Sequence, residues 1–234
     1  MVAFPSVLDK DAVATLRELA HTTLQNGTAF DHAMREGRGG GPLRHRRIRP
    51  VPVEHYRSVL SLLASVLAPF LTEGLMSARG ALLLSSGVMR TDAGAVRQPF
   101  HRDNGVVDGR IAAVQIALGD TQPTQGALHL QPASHHGRRQ VGGPQGVAMA
   151  PVREGTVVFY APSVLHAGGA HTHPRRESRL VWTLALMGAD AVTPADLEVT
   201  IAPEDTGRWW LADGEVHDCV QRSAAAAVCS INSS

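Results

Sequence analysis

The chain has 234 residues, enough for one ordinary domain with a large buried core. Its formal charge of +1 argues against a general nucleic-acid binder, which usually carries a strongly basic face. No apolar run approaches the roughly 20 residues that span a bilayer, and the N-terminus lacks the basic and apolar segments of a signal peptide. We therefore expect a cytoplasmic protein that binds no nucleic acid and no membrane, and the sequence leaves its oligomeric state open.

Two amphipathic helices are predicted in the N-terminal third of the chain. Ser6 and Asp9 resemble a capping box, and apolar residues then recur at helical spacing as far as Leu24. A longer stripe with i, i+3, i+4, i+7 spacing predicts a second helix over about 53–71. Between them, the glycine- and arginine-rich segment 36–50 has no apolar face to bury, which indicates a mobile surface loop or a lid over a substrate.

From Gly80 onward the pattern changes to short apolar runs that are separated by clusters of Gly, Pro, Asp and Ser. The runs are 81–89, 111–118, 127–131, 146–150, 156–161 and 179–187. They predict a mainly β (α+β) fold, a double-sheet jelly roll with the N-terminal helices packed on one sheet. We interpret residues 1–234 as one domain with its core at about 80–188. Trp209 and Trp210 would dock the tail, and disorder is expected after about 224.

The segment Gln98-Pro99-Phe100-His101-Arg102-Asp103 carries the strongest chemical signal. In an extended strand, residues i and i+2 point to the same face, so His101 and Asp103 can hold one cation together. A third ligand, His166, follows the apolar run 156–161. Two His and one carboxylate that leave open coordination positions form the facial triad of non-heme Fe(II) oxygenases. The other histidines lie mostly in turns and polar loops, where solvated side chains are expected.

Three blocks stand in order along the chain and cover about residues 80–188. They are 98–105, the turn 124–135 with its Leu130-Gln131-Pro132-Ala133-Ser134-His135 end, and 155–182 with His166 inside it. As a set they resemble the phytanoyl-CoA dioxygenase-like (PhyH-type) family of Fe(II)/2-oxoglutarate oxygenases. Ala133 stands where the family's turn has a glycine, which is a mild departure.

The resemblance implies a double-stranded β-helix, cupin-like, with Fe(II) held near its open end by the His, Asp, His trio. 2-Oxoglutarate would chelate this metal as cosubstrate, and O2 would take the remaining position. The far carboxylate would then need an arginine, whose planar fork binds a carboxylate with two hydrogen bonds. Arg179, which starts the run 179–187, lies where the family has this arginine, whereas Arg175 and Arg176 lie in the preceding loop.

Two glutamines are further candidates for contact with the cosubstrate. Gln98 matches a glutamine that some family members direct at 2-oxoglutarate, although an amide that satisfies strand-edge backbone groups fits equally well. Gln115 lies inside an apolar run, where a buried amide needs a partner from protein or ligand.

By resemblance, the expected activity is oxidation of a small-molecule natural product with release of succinate and CO2. Asp103 keeps the carboxylate that related halogenases replace by a small residue, so hydroxylation is the expected outcome. Desaturation, epimerisation and cyclisation would use the same site. Two alternatives remain: a cupin-like binding protein that holds a metal without catalysis, and an oxygenase with a macromolecular substrate, which only the basic segment 38–49 supports.

Overall fold

The computed structural model describes residues 2–26, 46–72, 80–103, 110–136, 147–148, 151–175, 177–189, 191, 205, 208–212 and 214–219. Two α-helices are present in these ranges, α1 (Lys10–Asn26) and α2 (Tyr56–Thr72). The strands are β1 (Val2–Phe4), β2 (Arg46–Pro50), β3 (Ala81–Thr91), β4 (Ile111–Ala117), β5 (Leu128–Leu130), β6 (Val147–Ala148), β7 (Val157–Tyr160), β8 (His166–Gly168), β9 (Arg179–Gly188), β10 (Trp209–Ala212) and β11 (Glu215–Asp218).

The strands form two antiparallel sheets. The larger sheet has the order β1-β7-β4-β9-β3-β10-β11, with β2 paired to β3, and the smaller sheet has the order β6-β5-β8. Among the described residues the fold is therefore mostly β, a curled sheet facing a smaller one, with two helices. This confirms the predicted jelly roll with helices on one sheet.

Alternation along the strands divides the core into two layers. Trp182, Leu184 and Leu186 on β9 pack with residues of both helices in the main hydrophobic cluster. A smaller cluster joins the two sheets and consists of Ala113, Leu128, Leu130, Val158 and Tyr160. Because successive side chains of a strand point to opposite faces, the even-numbered residues of β9 face the helices and its odd-numbered residues face the second sheet. Since the odd-numbered residues of β9 include Arg179, polar side chains line part of the space between the sheets.

Helix α1 begins one turn later than the capping-box prediction implies. Asp9 is its N-cap, because the Asp9 carboxylate accepts a hydrogen bond of 2.8 Å from the Ala12 backbone N–H. Ser6 lies outside the helix with a φ of 47°. Helix α2 agrees with the predicted range, and a short 3-10 turn at Val53–His55 precedes it.

The prediction of a mobile loop over 36–50 is wrong for its last five residues. Arg46–Pro50 is strand β2, which pairs with β3 from Arg46 opposite Thr91 to Pro50 opposite Gly87. The arginine-rich sequence hides this strand because it shows no alternation of apolar side chains. The rest of the segment lies outside the described residues.

The chain after β9 returns to the large sheet. β10 pairs with the first residues of β3, and Trp209 is buried against Tyr56 of α2, with their rings edge to face. This confirms that the tryptophan pair docks the tail, whereas the predicted disorder after about 224 lies outside the described ranges. Among the helices of the described residues, none offers an apolar stretch of the length that a bilayer requires.

Candidate metal centre

The three predicted ligands meet at one edge of the space between the sheets. One ligand atom each from His101, Asp103 and His166 can be chosen so that all lie within 4.8 Å of one another. Asp103 Oδ1 lies 3.8 Å from His101 Nε2 and 3.3 Å from His166 Nε2. His166 is almost fully buried, whereas the side chain of Asp103 is 39% exposed. The trio therefore has a buried side and an open side.

Hydrogen bonds orient both imidazoles with the same nitrogen toward the carboxylate. His101 Nδ1 lies 2.9 Å from the Pro99 carbonyl oxygen, and His166 Nδ1 lies 2.9 Å from the Val164 carbonyl oxygen. A carbonyl only accepts, so each Nδ1 carries a proton, and the neutral form of each ring presents the lone pair of Nε2. This is the arrangement by which proteins usually hold a metal-binding histidine.

Backbone pairing brings the two halves of the site together across 65 residues. The N–H and C=O groups of His101 and His166 are joined by two hydrogen bonds of 2.9 Å. The Asp103 N–H donates to the Pro162 carbonyl at 3.0 Å. The separation of the ligands is therefore fixed by main-chain geometry as well as by side chains.

The electrostatics of His166 favour positive charge at this position. Burial lowers the pKa of His166, but its hydrogen bond to Asp103 and the negative charge of that carboxylate raise it, and the net shift is upward. The Tyr160 ring lies edge-on to the His166 ring, with centroids 5.1 Å apart. Burial followed by the charge of Asp103 raises the pKa of Tyr160, so its hydroxyl stays protonated at neutral pH.

A chain of polar contacts leads from Tyr160 to Arg179. Gln115 Nε2 donates to the Tyr160 hydroxyl at 3.4 Å, and Gln115 Oε1 accepts from Arg179 Nη2 at 3.1 Å. Arg179 Nη1 also donates to the Gly126 carbonyl at 2.9 Å. Gln115 and Arg179 are both buried, so two of the three candidates for cosubstrate contact lie together in the inter-sheet space.

Arg46, a second buried arginine, approaches Arg179. Arg46 Nη2 donates to the Gly169 carbonyl at 2.7 Å and lies close to Gly126. Burial lowers the pKa of Arg46 to about 10. Burial and then the charge of Arg46 lower the pKa of Arg179 to about 10, which leaves both guanidiniums charged at neutral pH. Among the described residues, neither forms a salt bridge with a carboxylate, so the region beside the buried guanidiniums of Arg46 and Arg179, called the cationic pocket below, is suited to an anion.

Gln98 lies beside this second guanidinium. The Gln98 side-chain Oε1 accepts a hydrogen bond of 2.6 Å from the Gly168 N–H, and the Gln98 backbone N–H donates to the Gly168 carbonyl at 2.9 Å. A Cβ on Gly168 would meet Gln98 Oε1 at 2.7 Å and Arg46 Cζ at 2.9 Å. The amide thus satisfies a strand-edge backbone group, which was one of the two readings of the sequence, and it also borders the cationic pocket.

The other arginines and histidines considered from the sequence are not part of the trio. Arg175 is exposed in the loop before β9, and Arg176 lies outside the described residues. His171 is buried, not solvated as the sequence suggests, and its Nε2 donates to the Glu177 carbonyl at 2.7 Å. His129 pairs with Ala167 on the smaller sheet, and burial and the charge of Arg97 lower its pKa.

Sequence reasoning missed Arg46 and Tyr160 as site residues. The spacing of β7 offered one signal for Tyr160, because it lies at i+2 from Val158 and therefore shares the face that meets the smaller sheet. No comparable signal exists for Arg46. It is one of four arginines within six residues, and only its pairing with β3 shows which of them points inward.

A family model described as Phytanoyl-CoA dioxygenase (PhyH) matches residues 1–178. No match was found among curated proteins. The epimerase SnoN from nogalamycin biosynthesis is a similar solved structure, with 20% identity, a TM-score of 0.67 and coverage of 90% of this chain and 88% of that chain. The carbocyclase SnoK from the same biosynthesis has 19% identity and a TM-score of 0.60, with coverage of 86% of this chain and 89% of that chain.

HygX from Streptomyces hygroscopicus, solved with nickel and 2-oxoglutarate bound, is also similar. It has 18% identity to this chain and a TM-score of 0.58, with coverage of 84% of this chain and 89% of that chain. At such identities the likeness establishes a common fold.

Proposed function

Since the chain belongs to the phytanoyl-CoA dioxygenase family, we propose that it is an Fe(II)- and 2-oxoglutarate-dependent oxygenase that oxidises a small-molecule natural product. The observation that carries this proposal is the trio of His101, Asp103 and His166, with its ligand atoms within 4.8 Å. Two Nε2 lone pairs and one carboxylate form a donor set that fits Fe(II) and leaves coordination positions open. The proposed oxygenase domain comprises the whole chain.

The proposed cosubstrate site is the cationic pocket behind the trio. Arg179 would hold the far carboxylate of 2-oxoglutarate, with Gln115 orienting its guanidinium through the 3.1 Å contact. Arg46 would add a second positive charge on the same anion, and Gln98 would border it. Support comes from the burial of both arginines without a carboxylate partner in the described ranges, and from HygX, which is solved with 2-oxoglutarate bound.

Bound iron would supply oxidation chemistry in which O2 is consumed, 2-oxoglutarate is converted to succinate and CO2, and a substrate C–H bond is oxidised. The chain's own residues would bind and orient the reactants. The Val164 carbonyl would hold the His166 ring in its ligating tautomer. The Tyr160 ring, buried beside His166, would exclude water from the inner side of the metal.

Hydroxylation is the proposed reaction because Asp103 supplies a carboxylate to the trio. The fold is shared with an epimerase and with a carbocyclase, so analysis of products decides between hydroxylation, epimerisation, ring closure and desaturation. The proposed setting is the cytoplasm.

The proposed substrate is an oxygen-rich or anionic small molecule. SnoN is solved in complex with Fe3+, α-ketoglutarate and nogalamycin RO, and HygX is solved with hygromycin B bound, which supports a small-molecule natural product as substrate. The alternative of a macromolecular substrate rested on the basic segment 38–49. That alternative is weakened because Arg46 is buried and faces the pocket, not a partner.

The test is 2-oxoglutarate-dependent formation of succinate by the purified protein with added Fe(II) and ascorbate. We expect slow uncoupled turnover without a substrate, saturable in 2-oxoglutarate and abolished in His166→Ala. Arg175→Ala, which changes an exposed arginine, serves as the matched control and should turn over like wild type. A protein that binds Fe(II) through the trio but neither binds nor consumes 2-oxoglutarate would instead be the metal-holding binding protein.

A further inference from the structure

Arg102 stands between two of the proposed ligands, yet its side chain points to neither. Its guanidinium donates to two backbone carbonyls, through Nε to Ser163 at 2.7 Å and through Nη2 to Ser134 at 2.7 Å. Ser163 lies three residues before His166, and Ser134 lies in a different loop. Both serines are almost fully buried, so these carbonyls need donors from the protein.

The two loops that Arg102 contacts are also joined to each other. The Ser134 hydroxyl accepts a 2.8 Å hydrogen bond from the Leu165 N–H, and it donates to the Gln131 carbonyl at 2.7 Å. Gln131 N–H in turn donates to the Leu165 carbonyl at 2.8 Å. The residue directly before His166 is thereby fixed by the turn that contains Ser134.

We infer that Arg102 is a positioning residue for the metal centre, a role that rests on the proposed function. Its guanidinium ties the segment with His101 and Asp103 to the two loops that fix His166. Charged donors make strong, directional hydrogen bonds, and the guanidinium fork binds two carbonyls at defined angles. Without it, the segment with His101 and Asp103 would lose two of its links to these loops, and the three donors would hold a cation less tightly.

Three alternative roles for Arg102 predict different changes in metal affinity when its side chain is removed. If it positions the ligands, its removal weakens metal binding and alters the geometry of the bound ion. If it acts only as a nearby positive charge, its removal tightens binding of a divalent cation, because a repulsion is lost. If it only stabilises the loops, its removal lowers the melting temperature and leaves the affinity and the geometry unchanged.

Co(II) is a suitable probe, because its ligand-field absorption reports both occupancy and coordination geometry. Wild type, Arg102→Ala and Arg102→Lys would be titrated with Co(II), with Arg175→Ala as an exposed-arginine control and His166→Ala as a ligand-loss control. Circular dichroism melting of each protein before addition of metal verifies folding. We expect Arg102→Ala to raise the Kd for Co(II) about tenfold, the lower end of the loss seen when the groups that orient ligands are changed.

Arg102→Lys keeps the charge but offers a single donor nitrogen, so its Kd should rise by less. The absorption spectrum of saturated Arg102→Ala should differ from that of wild type, whereas Arg175→Ala should match wild type. An unchanged or lower Kd with a wild-type spectrum in both Arg102 variants overturns the inference. If Arg102→Ala does not fold, the lysine variant alone decides by the same two readouts. Wild-type protein whose Co(II) binding is insensitive to His166→Ala would overturn the proposed metal site itself.

Discussion

Arg46 and Arg179 occupy one row of the large sheet, on either side of Thr91. Thr91 on β3 is paired with Arg46 on β2 and with Arg179 on β9. Neighbouring strands lie about 4.8 Å apart, so the two arginine backbones are separated by about 10 Å and their side chains point to the same face. Two buried positive charges on one face of the sheet repel each other, and an anion between them would relieve the repulsion.

The first prediction separates Arg179 from the loop arginine Arg175. Arg179→Ala should raise the apparent KM for 2-oxoglutarate roughly 100-fold, because loss of charge-assisted hydrogen bonds costs about 3 kcal/mol. Arg175→Ala should leave it unchanged, since Arg175 is exposed. The rate of succinate formation at varied concentrations of 2-oxoglutarate gives the apparent KM of both variants. A large effect in the Arg175 variant and none in the Arg179 variant would refute the assignment of the anchor.

The second prediction concerns Arg46 and the ligand-dependent stability of the metal-loaded protein. Arg46→Met removes one of two repelling charges but keeps most of the side-chain volume, so without 2-oxoglutarate the melting temperature should hold or rise. The gain in melting temperature on adding 2-oxoglutarate should shrink, because binding to the folded state is weaker. Thermal unfolding with and without 2-oxoglutarate measures this difference.

Arg90→Met is the matched control for Arg46, since Arg90 is a strand arginine whose ion pair with Asp92 is solvent-exposed. Loss of this ion pair should change the melting temperature little, with or without 2-oxoglutarate. If Arg46→Met keeps the full ligand-induced gain, the role of Arg46 is confined to its hydrogen bonds within the protein.

The third prediction tests the trio. His101→Ala, Asp103→Ala and His166→Ala should each abolish 2-oxoglutarate turnover and weaken Fe(II) binding, because too few donors remain to hold a labile divalent ion. Each variant should keep the wild-type circular dichroism spectrum, since the backbone bonds between His101 and His166 do not need the side chains. Iron titration and turnover are measured together. Wild-type turnover of Asp103→Ala at limiting iron would contradict the ligand assignment.

The fourth prediction uses Gly168, which lies under the cationic pocket. An added Cβ would lie 2.7 Å from Gln98 Oε1 and 2.9 Å from Arg46 Cζ, so both side chains must move. Gly168→Ala should lower the free energy of unfolding by about 1–3 kcal/mol, as overpacking commonly does, and should weaken 2-oxoglutarate binding. Denaturant unfolding and the apparent KM measure the two effects.

Gly119→Ala is the control for this substitution, because a Cβ at Gly119 meets nothing within 4 Å. It should leave the KM unchanged and hold or slightly raise the stability. Equal effects of the two substitutions would show that the close contacts at Gly168 have no bearing on the pocket.

Short-range patterns in the sequence predict much of this protein's fold and part of its candidate metal site. The i, i+2 spacing of His101 and Asp103 brings both side chains to one face of any extended strand, whatever surrounds it. The runs that form β3, β4, β7 and β9 could be recognised as strands because apolar side chains repeat locally. The fold class followed from the order of helices and strands, and the structure bears it out.

The tertiary structure decided what no local pattern records. Arg46 is buried only because β2 pairs with β3 in a register that turns it inward, and its sequence neighbours His45 and Arg47 give no sign of this. The inward position of Gln98 depends on Gly168, 70 residues away. Strand register is set by the partner strand, and a shift of one residue reverses which side chains face the core. The convergence of His101, Asp103 and His166 could therefore be predicted from sequence, whereas the second buried positive charge beside Arg179 could not.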